Sequence, residues 1–210
     1  MMNRSMRISL LALTLGLGAC STSAPVRHYT LLHPQEAIQT DRAPARFVID
    51  VMPVSLPEYL NQPQLVVRQD DSGALAILDD ERWLGPLDEE VRTALSARLV
   101  DRLGTQDVAG LSWPGSVPVI RVKLQIRRLD AWPGKRVQLE AGWTLGDARE
   151  PGADKRVCQG RFEEPAAAGY PALVQAQQRV IAALADQIGR DAMSWSTSRQ
   201  PRCEPALARS

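Results

Sequence analysis

Three cysteines, two histidines and the carboxylates Asp79-Asp80-Glu81 are the side chains that first invite a chemical reading. His28 and His33 stand five residues apart, with no cysteine or carboxylate at a metal-ligand spacing, so they read as surface or strand histidines rather than ligands. The run Asp79-Asp80-Glu81 could do acid–base work only if a partner tuned one carboxyl and aimed it at a substrate. Three adjacent acids after a strand read instead as a solvated turn. No Gly-x-Ser-x-Gly elbow, glycine-rich phosphate loop or His-Glu-x-x-His helix occurs. The sequence therefore offers no catalytic residues, no metal site and no cofactor site, and it reads as nonenzymatic. What remains is thiol chemistry at Cys20, Cys158 and Cys203.

Cys20 closes an apolar run. Arg4 and Arg7 precede the uncharged stretch Ile8 to Ala19, and small residues stand before the cysteine, which is the layout of a secretory signal peptide. The ending Leu17-Gly18-Ala19-Cys20 resembles a lipobox. Such a signal implies that the Cys20 thiol receives a diacylglyceryl group, that residues 1–19 are removed, and that the new amino terminus is acylated. The run is roughly half the ~20 residues a membrane-spanning helix needs, which argues against a retained transmembrane anchor. Several acyl chains hold a protein at a bilayer, since each buried methylene contributes about 0.8 kcal/mol. Ser21 after the cysteine, rather than aspartate, resembles enterobacterial sorting to the outer membrane with the body facing the periplasm.

An oxidising compartment gives the other two cysteines meaning. Cys158 and Cys203 are an even pair that can close one disulfide; the alternative is a buried Cys158 thiol and an unpaired Cys203 in a tail. Removing Arg4 and Arg7 leaves basic and acidic residues nearly balanced. With no basic tract and no aromatic-basic interleaving, nothing points to nucleic acid. The chain beyond the signal is long enough for one buried core. It divides into the signal peptide 1–19, a lipidated tether 20–27, a domain 28–195 and a tail 196–210 expected to be disordered unless Cys203 pins it.

The elements that must position any surface follow from periodicity. His28–Leu32 reads as a short strand, and Arg46–Val54 as a second with Phe47, Ile49 and Val51 on one face, joined by a polar link that includes Gln39–Pro44. Tyr59–Pro63 reads as a turn or short helical knee, Gln64–Arg68 as a strand, Asp70–Gly73 as a turn and Ala74–Leu78 as the returning strand. Leu87, Val91, Leu95, Leu99 and Leu103 recur every four residues beside Ala94 and predict a core-packing helix, with acids in its first turn and Gly104 as its stop. Val119–Leu129 alternates Ile120, Val122, Leu124 and Ile126 with Arg121, Lys123, Gln125 and Arg127; its basic face reads as solvated or as a contact for anionic lipid or an acidic partner. Trp132–Lys135 turns into Arg136–Leu145, and Lys155–Glu163 completes an antiparallel meander. A last helix spans Tyr170–Trp195, with Leu173, Val180, Ile181, Leu184, Ile188 and Met193 at helical spacing.

Two stretches stand out beyond composition: Pro53-Val54-Ser55-Leu56-Pro57-Glu58-Tyr59-Leu60-Asn61-Gln62-Pro63-Gln64-Leu65-Val66-Val67-Arg68 and Asp80-Glu81-Arg82-Trp83-Leu84-Gly85-Pro86-Leu87. With the Tyr29-Thr30-Leu31 start, they resemble the PqiC (YmbA) family of ABC-type transport auxiliary lipoproteins. The resemblance implies a lipoprotein that acts with an MCE-domain periplasmic protein in lipid transport between envelope membranes, with homo-oligomeric rings among family members. It also implies an α/β three-layer sandwich with a mixed, largely antiparallel sheet and two main helices, similar to the anticodon-binding-domain-like group. On physical grounds, prolines flanking Tyr59 can present its ring at low entropic cost, and Trp83 beside Arg82 suits an interface anchor; the alternative is that both rings plug the core edge. Two other functions stay open: a lipid carrier with a cavity lined by residues such as Trp143, Phe162 and Leu184, and an assembly lipoprotein of another envelope complex.

Overall fold

The computed structural model describes residues 25–33, 44–113, 115–150, 152, 154–199 and 203. Cys20 and the segment 1–19 lie outside them, as do most of the tether, the Gln39–Ala43 part of the polar link and most of the tail. In chain order the elements are β1 (Arg27–Tyr29), β2 (Val48–Val51), a 3-10 turn (Glu58–Leu60), β3 (Gln64–Arg68), β4 (Leu75–Trp83), α1 (Leu87–Leu103), β5 (Val119–Trp132), β6 (Arg136–Asp147), β7 (Arg156–Pro165) and α2 (Tyr170–Ser198).

The fold is α/β, with mixed, largely antiparallel pairing and two long helices. Its strands divide between two sheets, one ordered β1-β4-β3 and the other β2-β5-β6-β7. β1 runs parallel to β4, and β2 parallel to β5; the other pairings are antiparallel. Alternation sets the faces of the larger sheet: Ile120, Val122, Leu124 and Ile126 are buried, as are Val137, Leu139, Ala141 and Trp143. Strict alternation would turn Arg128 inward. A bulge avoids this, because Ile126 pairs with Ala141 and Arg128 with Glu140, leaving Arg127 as the extra residue and returning Leu129 and Ala131 to the core.

The Leu87–Leu103 stripe of α1 is buried along its whole length, and Gly104 ends the helix in the left-handed conformation at φ 57°. α2 lies across β5, β6 and β7 and packs on α1. Arg98 and Arg102 of α1 both reach Asp186 of α2, each at 3.3 Å. The main core cluster draws on both sheets and both helices, and a second, small one gathers Val48, Val108 and Val119.

α2 runs three residues past the expected end at Trp195. Met193, expected on its apolar stripe, is 43% exposed. The inward positions there are Ile188, Asp191, Ala192 and Trp195, spaced three and four apart, and Met193 falls one residue off that face. The inclusion of Asp191 has a cause: Trp143 Nε1 donates to its carboxylate at 3.0 Å, and the fully buried Arg156 donates to its backbone carbonyl at 2.8 Å. Cys158 on edge strand β7 and Cys203 are joined by a disulfide, with Cα atoms 5.8 Å apart. Cys203 therefore lies against β7.

Candidate functional site

The two motif stretches meet in the fold and are joined by hydrogen bonds.

 The amide of Trp83 donates to the carbonyl of Pro63 at 2.6 Å, and the amide of Asp88 donates to Asn61 Oδ1 at 3.4 Å. The knee itself is the 3-10 turn, closed by Leu60 N to Pro57 O and Asn61 N to Glu58 O, each 3.0 Å. Pro57 and Pro63 bracket it and fix its entry and exit.

β1 brings the Tyr29-Thr30-Leu31 start to the same place. Tyr29 pairs with Trp83, and the Leu84 amide donates to the Tyr29 carbonyl at 2.8 Å. Thr30 Oγ1 and the Leu31 amide both donate to Glu90 in the first turn of α1, at 2.7 and 2.8 Å. Gln178 Nε2 of α2 donates to the Thr30 carbonyl at 2.9 Å.

The acidic run is not a solvated turn. Asp79, Asp80 and Glu81 belong to β4, where the register against β3 shifts between Gln64 and Leu65, and Glu81 is buried. Arg27 pairs with the Glu81 carboxylate, and the Tyr29 hydroxyl donates to it at 2.6 Å. Burial, the hydrogen bond to Glu81 and the negative charge of Glu81 push the Tyr29 phenol up to about 12. The sequence reading missed this cluster because the partners of Glu81 lie more than fifty residues away.

The proposed anchors separate. Tyr59 is 44% exposed and Arg82 is half-buried, its Nε donating to the Asp79 carbonyl at 2.8 Å. Trp83 is only 3% exposed and belongs to the core, which corrects its reading as a surface anchor: it points inward beside Leu87 while Arg82, next along the strand, points away. Leu84, not singled out from sequence, is 72% exposed. Between the segments lies a small notch, partly open to solvent, lined by Leu60, Gln64, Val66, Trp83, Leu87, Leu129 and Gln177.

On the basic face of β5, Arg121 pairs with Asp50 at 2.8 Å and Arg127 donates to Gln159 at 3.1 Å. Trp143 and Leu184, offered as walls of a lipid cavity, are core residues, and Phe162 packs against that core with its ring 6.5 Å from Trp143. Among the described residues no three His, Cys, Asp or Glu side chains are placed to hold a metal ion, and no helix is long and apolar enough to cross a membrane.

A family model described as ABC-type transport auxiliary lipoprotein component matches residues 29–189. The fold is similar to the crystal structure of an uncharacterized protein, at 19% identity and a TM-score of 0.64, covering 80% of this chain and 99% of that one. It is also similar to a crystal structure from Xanthomonas campestris, at 13% identity and a TM-score of 0.60, covering 85% and 99%. No curated protein shows a significant match. The solved structures speak for the fold alone, whereas the family match begins at the last residue of β1 and takes in both motif stretches and most of α2, and on that match the chain belongs to the ABC-type transport auxiliary lipoprotein family.

Proposed function

We propose that this auxiliary lipoprotein is a nonenzymatic adaptor, held by acylated Cys20 in the outer membrane, that docks the periplasmic end of an MCE-type lipid-transport assembly. The observation that carries the reading is the convergence of both motif stretches and β1 on one surface bearing exposed Tyr59 and Leu84. A tether from Cys20 to β1 spans at most about 25 Å when extended, so the body stays near the bilayer. Confinement there raises the effective concentration of the docking surface for any partner reaching the membrane. A ring of several copies would suit a tubular partner.

The test is crosslinking in intact membranes followed by identification of captured proteins, comparing the wild type with Tyr59→Ala and Arg82→Ala. Recovery of an MCE protein, reduced by either substitution, supports docking at this surface. Recovery of a different envelope complex, with no MCE protein, overturns it. Trp83→Ala is unsuited to this comparison, because loss of a buried ring costs about 3–5 kcal/mol of stability by itself.

A further inference from the structure

α2 covers one face of the sheet formed by β5, β6 and β7. The opposite face carries Lys123, Gln125 and Arg127 of β5 and Val157, Gln159 and Arg161 of β7, all exposed. Its carboxylates are already matched: Asp50 by Arg121, Glu140 by Arg161 and Glu163 by Arg136. Lys123, Arg127 and Lys155 have no carboxylate partner among the described residues. Arg127, set outward as the extra residue of the bulge, lies over Gly142 and donates to the neutral Gln159, while the Lys155 stem lies over Gly146. The loop between β6 and β7 adds both signs, Arg149 and Lys155 with Glu150 and Asp154. Negative charge gathers elsewhere, in Asp70, Asp71, Asp79 and Asp80 on and beside β4 and in Asp88 and Glu89 at the start of α1. A chain whose charges nearly cancel is therefore polarised.

We infer that this open face of β5, β6 and β7 rests on the anionic headgroups of the membrane that holds the lipoprotein. Two observations favour headgroups over an acidic protein. The unmatched cations are spread over β5 and the start of β7 on long side chains, and the face has no exposed aromatic ring of the kind that anchors a protein partner. The family match also makes the body membrane-tethered, so a contact too weak to recruit a soluble protein suffices to orient it. Each cation near an anionic leaflet favours contact by about fivefold, and the acids beside β4 and α1 are repelled. α2 then faces away from the bilayer. This goes beyond the docking reading and does not depend on which protein docks.

The test uses the lipoprotein purified with its native anchor, its valine and methionine methyls labelled for NMR, in nanodiscs that carry a gadolinium-chelating lipid. Val157 on the open face and Met193 on α2 are exposed reporters on different sides of the sheet. In discs rich in phosphatidylglycerol the Val157 methyls should relax several times faster than the Met193 methyl. High salt, or phosphatidylcholine as the only other lipid, should remove the difference. Lys123→Glu combined with Arg127→Glu should remove it too, at an unchanged melting temperature, whereas Lys123→Arg with Arg127→Lys should keep it. Equal relaxation of the two methyls in the anionic discs, or a difference that survives both salt and neutral lipid, overturns the inference whether or not the charge-reversed variant folds. Equal relaxation together with an acidic protein crosslinked through Lys123 in membranes overturns it in favour of a protein contact.

Discussion

Tyr29 and Asp191 show how much of this protein rests on single buried polar contacts. The Tyr29 phenol is raised from 10.0 to about 12 in the folded chain, so its neutral form is favoured by folding. Its contribution is complete below pH 10 and is lost as pH rises through about 12, so urea stability should fall across that window. Tyr29→Phe should flatten the fall and cost about 1.5 kcal/mol at neutral pH, through the lost hydrogen bond to Glu81. Asp191→Ala should cost more, about 3–5 kcal/mol, because it leaves Arg156 charged and buried and strips Trp143 Nε1 of its acceptor. Chemical denaturation of both variants measures the difference. The burial of Asp191 and Glu81 was not legible in the sequence, since an aspartate in a helix and a glutamate in an acidic run reveal it only through distant partners.

At the scale of elements, the disulfide and the Asp130 clamp each join parts that the chain separates. Cys158 and Cys203 are 45 residues apart, and closing a loop of that length stabilises by about 2–4 kcal/mol. The double variant Cys158→Ala, Cys203→Ser should lose that amount, and reductant should lower the melting temperature of the wild type but not of the variant. Asp130, buried on β5, is held by Arg68 of β3 at 2.8 Å and by Arg128 of β5 itself, which fastens the smaller sheet to the larger. The bulge at Arg127 aims Arg128 outward so that it can take part. Asp130→Asn should weaken the junction by about 1.5 kcal/mol and raise hydrogen exchange in β3 before α1. The α1 stripe and the β5 alternation were plain in the sequence because each is local and periodic. The extension of β4 through Trp83 was not, because three acids in a strand are tolerated only where a register shift and Arg27 accommodate them.

For the whole molecule, the proposed lipidation at Cys20 should be separable from folding of the body, and Cys20→Ser tests the separation. The variant should leave the membrane fraction, lose incorporation of labelled palmitate and keep the melting temperature of the wild-type body. The sequence by itself determined the α/β class, the meander, both long helices and the family resemblance, because periodic burial and ordered motifs are carried by neighbours a few residues apart. The tertiary structure alone decided that Trp83 is core and Leu84 surface, that Glu81 and Asp191 are buried, that the strands form two sheets, and that Gln177 faces the notch beside both motifs. Those outcomes depend on contacts between residues tens of positions apart, and no local pattern specifies which of several apolar or charged side chains finds a distant partner.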